Sequence, residues 1–324
     1  INTIIANMEE GFVLLDGEKN VLMHNDSAVR LLQSGPGELI GNSFIRLSRN
    51  QNVNHCIDSA SKGKSREAEF EVGERELQLL ANPVYSKGEQ IGVICIIVDV
   101  TGRHALDQMR QEFTANVSHE LKTPLTSISG YAEMIESGIA KDGDVKTFAA
   151  KIHKEAGRLV TLIGDIIRLS QLDEELSQVQ PVRVDMASLV EECTDSLVIS
   201  ADKHKVSLET DVTPCTVRGD RNMLYELIYN LCDNAIRYNK ENGSVLVSVK
   251  PRDGKVVLKV KDTGIGIPKE HQARIFERFY RVDKSRSKQT GGTGLGLAIV
   301  KHIAEQHKAQ ISLESEEGAG SVIT

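Results

Sequence analysis

Tryptophan is absent from this chain, and aromatic residues together make up only 4% of it. Its cores must therefore be built from Leu, Ile and Val, for which a hydrophobic content of 40% is ample. Cysteine is sparse. Cys56, Cys95, Cys193, Cys215 and Cys232 are scattered and form no C-x-x-C pair. That speaks against a structural zinc or a disulfide framework and for reduced, cytosolic surroundings. Basic residues are outnumbered 39 to 46, leaving a net charge of −7. A nucleic-acid partner, which needs concentrated Lys and Arg, is not expected. No apolar run approaches the ~20 residues that cross a bilayer. The longest, around Gly92–Val98, ends at Asp99 and reads as a buried strand. There is no signal peptide. The chain begins at Ile1 and stops at Ser321–Thr324, apparently inside a strand, so it reads as an excised piece. Any membrane anchor is expected in segments outside it.

What is present divides into two or three domains for a length of 324 residues. Residues 1–101 read as a small α+β domain. Gly11–Leu15 and Val21–Met23 flank the turn signal Asp16-Gly17. Short helices are expected over Asp26–Gln33 and Gln51–Ser61, and strands over Glu67–Val72, Glu76–Asn82 and Gln90–Val100. This order, closing on GVICIIVDVT, resembles a PAS sensor domain. Cys56 follows His55, but the surrounding letters are not a flavin-attachment motif. A signal-passing role is expected ahead of a ligand-binding one.

The segment Phe113–Ile135, FTANVSHELKTPLTSISGYAEMI, is the most informative. Phe113, Val117, Leu121, Leu125 or Ile128, Ala132 and Ile135 recur at helical spacing. At about 100° per residue, His119 lies roughly 200° from Val117, away from that stripe. The imidazole there has no packing duty and is free for chemistry. One long helix is expected over 102 to about 140. Pro124 lacks an N–H and crowds the carbonyl of residue 120, so the helix should bend just past His119. That bend would let the upper helix present or hide the histidine as the sensor signals. A second helix, Asp144–Leu172, carries Phe148, Ile152, Ala156, Leu159, Ile163, Ile166 and Leu169, with Asp144 as its expected N-cap. Two such hairpins make a four-helix bundle, so a homodimer is expected. A monomeric hairpin packed on another domain is the alternative.

After a linker over residues 174–181, residues 181–324 read as an α/β sandwich with helices on one face of a mixed sheet. Helices are expected at Ala187–His204, Asn222–Tyr238 and Leu295–His307. The expected strands are Val206–Asp211, Ser244–Pro251, Lys255–Lys261 and Gln310–Ser315. Three patterns carry chemistry. Glu226, Asn230 and Asn234 form one polar stripe, whose carboxamide oxygens suit Mg2+, with Arg237 and Tyr238 a turn later. Asp262 ends a strand on its apolar side and needs a donor such as the exocyclic amine of adenine. Gly264 and Gly266 follow, letting backbone approach a ligand. Finally Gly292, Gly294, Leu295 and Gly296 lead directly into a helix whose free N–H groups favour phosphate. Taken singly, each has an ordinary explanation as a solvated face, a turn or a loop. No Walker motif, H-R-D or D-F-G is present.

In this order, with Phe276–Phe279 between the second and third patterns, they resemble the ATP-binding fold shared by histidine kinases, gyrase, Hsp90 and MutL. The His119 segment narrows the resemblance to sensor histidine kinases of two-component systems, weakly toward the membrane kinases that sense phosphate limitation or cell-wall state. The resemblance implies a PAS domain over 1–101, a dimerisation and phosphoacceptor hairpin over 102–176 and a catalytic domain over 181–324. It makes His119 the phosphoacceptor, Glu120 its hydrogen-bonded base or orienting partner, and Thr123 a residue that positions water in dephosphorylating a response regulator receiver domain. ATP and Mg2+ are the implied cofactors, with Arg281 on the phosphates. Val282–Gly292 is the implied lid, where Lys284, Arg286 and Lys288 would screen charge. The expected location is the cytoplasmic portion of a membrane-anchored bacterial kinase.

Overall fold

The computed structural model describes residues 2–35, 39–44, 50–174, 181–282 and 292–324. The chain divides into two compact units, Ile1–Thr114 and Ala115–Thr324. The first is built on one antiparallel sheet. Its strands are β1 (Gly11–Leu15), β2 (Val21–His24), β3 (Arg66–Val72), β4 (Arg75–Ser86) and β5 (Glu89–Asp99), in the order β2-β1-β5-β4-β3. α1 (Asn2–Ala6), α2 (Asp26–Leu31) and α3 (Gln51–Ala60) accompany it. Asn25 and Asn50 cap α2 and α3 by accepting backbone N–H bonds. Val13, Leu15, Phe44, Ile57, Leu79 and Ile97 fill the core. The expected elements are all found, β4 running four residues beyond Asn82 because its pairing with β5 continues to Ser86.

α4 (Thr101–Glu136) and α5 (Asp142–Glu174) are the two long helices. α4 is continuous through Pro124, its one buried residue. Around the missing N–H, hydroxyls bond carbonyls four residues back: Thr123 to His119, Thr126 to Lys122 and Ser127 to Thr123. The expected N-cap at Asp144 is corrected. α5 opens at Asp142, and the Lys141 carbonyl accepts the N–H groups of Asp144 and Val145. Asp144 lies inside the first turn, where a carboxylate still favours the helix dipole. Leu162, Leu169 and Leu172 are buried, whereas Val160, Ile163 and Ile167 stay exposed at spacings of three and four.

The remaining elements are β6 (Val182–Asp185), α6 (Met186–His204), β7 (Ser207–Val212), β8 (Thr216–Gly219), α7 (Arg221–Arg237), β9 (Ser244–Arg252), β10 (Lys255–Asp262), α8 (Lys269–Gln272), α9 (Gly296–Gln306), β11 (Leu313–Glu316) and β12 (Gly320–Ile323). The sheet runs β11-β12-β10-β9-β7, mixed because β7 pairs β9 in parallel while the other pairings are antiparallel. β6 and β8 form a separate ribbon that the sequence pattern did not reveal. The last expected strand is shifted from Gln310–Ser315 to Leu313–Glu316, where β12 pairs with it. α6, α7 and α9 cover the sheet with Leu189, Leu197, Ile228, Leu231 and Val300 against Val245, Val247 and Val260.

The hairpin is tied to this sandwich by named contacts. Arg168 of α5 meets Glu226 of α7 at 2.6 Å. The carbonyl of Leu172, near the end of α5 where helical carbonyls lack partners, accepts from Gln306 at 2.9 Å and lies 3.0 Å from the His302 ring. Ile228 sits fully buried at the centre of the sandwich. Replacing it with Ala should destabilise the C-terminal unit by about 2–5 kcal/mol, read from urea unfolding.

Candidate functional site

A cavity of about 500 Å³ opens between α7, the end of β10 and the start of α9, within the usual size range for small-molecule sites. Asn230, Asn234, Arg237, Tyr238, Asp262, Gly266, Arg281, Gly292, Gly294 and Gly296 line it. These sequence-predicted residues come from four separate stretches, so the fold brings the patterns to one place. Two expected contacts do not line it. Leu295 is fully buried in the core, so only its backbone serves the helix start. Gly264 packs against the end of α7, where a Cβ would meet the Tyr238 carbonyl oxygen at 2.4 Å.

α7 begins with Asp220 capping Asn222 and Met223, which sets the rotation of the polar stripe. Asn230 donates its amide nitrogen to the Glu226 carbonyl at 2.9 Å. Its Oδ1 therefore faces Gly296, where any Cβ would sit 2.8 Å away. Arg237 pairs with Asp233 at 2.6 Å. Amide oxygens are hard donors suited to magnesium, but neutral ones. Among the described residues there is no cluster of three acidic, His or Cys ligands. The donor set fits the ion only together with phosphate oxygens.

Asp262 takes the apolar side of β10 with Val256, Leu258 and Val260, which belong to the core. Burial raises its carboxyl above the ordinary value of 3.8, against the opposing N–H bonds of Gly264 and Ser321. Both bonds reach Oδ1, at 2.7 and 3.3 Å. Oδ2 is then the oxygen for a ligand donor. Gly266 has φ +67°, and a Cβ there would meet the Glu316 carbonyl oxygen at 1.9 Å. Gly266 thus packs on the protein's own backbone as well as lining the cavity. Gly294, at φ +77°, lies against Phe279, whose N–H it accepts at 2.9 Å.

His119 is 80% exposed, as its position opposite the apolar stripe requires. Its Nδ1 lies 4.0 Å from Glu120 Oε1, so the expected hydrogen bond is not formed. The other oxygen, Oε2, is taken by Arg281 at 3.1 Å and Arg158 at 3.4 Å. The Thr123 hydroxyl donates to the His119 carbonyl at 3.1 Å. Of the implied lid, residues 283–291 lie outside the described residues, Lys284, Arg286 and Lys288 among them. Val282 and Gly292 line the cavity.

Sequence reasoning missed Asp165 and Arg158. Asp165 lines the cavity from α5 and accepts the Thr293 hydroxyl at 2.7 Å. Its burial raises its carboxyl, opposed by Thr293 and by the charge of Arg237. Neither residue had a signal, since a polar letter in a helical repeat marks only the face away from the local stripe.

Comparison with known proteins places the chain in a family. Residues 1–100 match the PAS fold, 109–175 the His Kinase A (phospho-acceptor) domain, and 219–324 the histidine kinase-, DNA gyrase B- and HSP90-like ATPase. The phosphate regulon sensor protein PhoR of Pseudomonas aeruginosa is 34% identical over 98% of this chain and 72% of its own length. The chain belongs to the sensor histidine kinases. A further relative, the sensor-like histidine kinase SenX3 of Mycolicibacterium smegmatis, is 43% identical over 71% of the chain. The sensor protein kinase WalK of Staphylococcus saprophyticus is 31% identical over all of it. The chain spans 60% of SenX3 and 54% of WalK. Among solved structures, the Acinetobacter baumannii histidine kinase AdeS aligns over 63% of this kinase and 95% of its own chain, with TM-score 0.52 and 27% identity. Histidine kinase ThkA, solved in complex with response regulator protein TrrA, shares the fold over 99% of this chain and 96% of its own, with TM-score 0.53 and 22% identity.

The raised carboxyl of Asp262 has a consequence for this kinase. A carboxyl raised in the folded state contributes stability that is fully present below its ordinary value of 3.8 and is lost as pH rises through the raised value. Asp262→Asn keeps an acceptor for both N–H groups and removes the charge. It should raise the ligand-free melting temperature by about 1–2 °C near pH 7 and by nothing near pH 3, while ATP binding falls. A lower melting temperature at pH 7 would contradict this assignment of cost.

Proposed function

We propose that this chain uses ATP to phosphorylate itself on His119 and passes the phosphoryl group to an aspartate of a response regulator receiver domain. One observation carries the reading. An exposed imidazole and a nucleotide-sized cavity share one compact unit, and Arg281 of the cavity wall reaches the residue next to that imidazole. Transfer needs positioning and charge neutralisation more than covalent assistance. With Nδ1 turned toward Glu120, Nε2 is the nitrogen that bonds the γ-phosphorus as the P–O bond to ADP breaks. Glu120 then orients the ring and takes the Nδ1 proton.

Asp262 accepts the adenine amine, which selects ATP over GTP. The start of α9 and Arg237, Tyr238 and Arg281 face the phosphates. Asn230 and Asn234 would hold magnesium, which supplies charge neutralisation when bound. Gyrase-type enzymes activate water with a Glu four residues before the magnesium Asn. That position is Asn230 here, an amide that takes no proton, so transfer to His119 is favoured over hydrolysis. The Thr123 hydroxyl, one turn from His119 on the same face, positions water for dephosphorylating the regulator.

Exposed Val160, Ile163 and Ile167, together with the phosphoacceptor-domain match, support a homodimer whose paired hairpins form a four-helix bundle. Among the described residues no helix is long and apolar enough to cross a membrane. This chain is read as the cytoplasmic portion of a membrane-anchored kinase, in keeping with its spanning 60% of SenX3 and 54% of WalK.

With γ-labelled ATP, the protein should acquire acid-labile, alkali-stable label that is absent from His119→Gln and Asn234→Ala. Label released only as free phosphate would mark an ATPase instead, and bound ATP without transfer a scaffold. In the phosphatase direction, Thr123→Ala should slow dephosphorylation of the regulator about 10–100-fold and spare autophosphorylation. Equal loss of both would remove Thr123 from that role.

A further inference from the structure

Glu120 Oε2 is shared by two guanidinium groups that come from different parts of the unit. Arg281 follows the Phe276–Phe279 stretch and lines the nucleotide cavity, and Arg158 lies on α5. Both are withdrawn from water, with side chains 6% and 11% exposed. A guanidinium out of water requires an anion, and a carboxylate can satisfy both. The two bonds differ in what else is available to each partner. Arg281 faces the cavity, and its Nε is buried without a hydrogen-bond partner among the described residues. A buried donor left unpaired is costly, so an incoming phosphate oxygen has an unmet donor to take. Arg158 does not line the cavity.

We infer that Arg158 is a positioning residue: Glu120 and the nucleotide phosphates compete for Arg281, and Arg158 keeps Glu120 seated beside His119 once Arg281 has turned to the phosphates. The inference rests on the nucleotide reading above. While both arginines hold Oε2, the carboxylate stands 4.0 Å from Nδ1 and does not hydrogen-bond the ring. Release of Arg281 removes one of the two pulls. Arg158, anchored on the neighbouring helix, prevents the freed side chain from swinging into solvent. Loading of the nucleotide and readiness of the acceptor are thereby coupled, and coupling of this kind is reciprocal. Whatever weakens the Glu120–Arg281 pair must tighten phosphate binding, and whatever strengthens it must loosen phosphate binding.

Calorimetric titration with Mg-ATP, in a His119→Gln background where nothing is transferred, tests the competition without reading activity. Glu120→Gln should bind Mg-ATP about 5-fold more tightly, because Arg281 no longer has a rival anion. Arg158→Gln should bind it about 3-fold more weakly, because Glu120 is left with Arg281 alone. With His119 restored, Arg158→Gln should lower the autophosphorylation kcat about 10-fold. Arg158→Lys, a cation on a shorter fork, should recover part of that loss. Unchanged Mg-ATP affinity in Glu120→Gln or in Arg158→Gln, beside a background protein that binds normally, would overturn this inference and leave the proposed function intact. A background protein that binds no Mg-ATP would overturn both.

Discussion

The ion pair between Glu120 and Arg281 is the contact on which the functional geometry depends. It joins residues 161 positions apart in sequence, one on the histidine helix and one on the wall of the cavity. It ties the residue next to the exposed His119 to the cavity wall. Its strength comes from partial burial, which weakens screening and makes an unpaired charge costly. The other ties between hairpin and sandwich, Arg168 to Glu226, Asp165 to Thr293 and Gln306 to the Leu172 carbonyl, run along α5. Together they hold the hairpin at several points while leaving the imidazole in water.

The cavity itself is a product of backbone geometry as much as of side chains. Gly264 and Gly266 let the strand end fold under α7 and against the Glu316 carbonyl, and this turns Asp262 toward the ligand space. Gly296 leaves room for the Asn230 oxygen. Asp262 is the costly element. Among the described residues no cation stands beside its desolvated charge, an arrangement typical of sites that recognise a donor on a ligand. Stability is given up at one residue, as the proposed reading of Asp262 as the acceptor for a purine amine requires.

Much of this was legible in the letters because it is periodic or local. The 3.6-residue repeats marked both long helices. The spacing Glu226, Asn230, Asn234 marked a helix face, and alternation along Val256–Asp262 placed the carboxylate inward. Family likeness then assigned the patterns to one nucleotide site. What escaped is long-range or energetically weak. The partnership of Glu120 with Arg158 and Arg281 has no local signature, and neither does Asp165 against Thr293. The β6–β8 ribbon has four residues per strand, too few for alternation to stand out. The start of α5 was misplaced because Asp142 and Asp144 are equally good acidic letters, and only the hydrogen bonds to the Lys141 carbonyl separate them. The packing of Gly266 on the Glu316 carbonyl is likewise a long-range contact with no local signal.

The hydrogen bond from the Phe279 N–H to the Gly294 carbonyl fastens the two ends of the intervening stretch together. Phe279 holds a left-handed φ of 62°, a strained value for a bulky side chain, so the clasp is maintained against its own conformational preference. Arg281 and Thr293 lie between the two ends of that clasp, so the side chain that grips Glu120 and the one that grips Asp165 are both referred to the start of α9. A disturbance at Phe279 would therefore reach both grips at once.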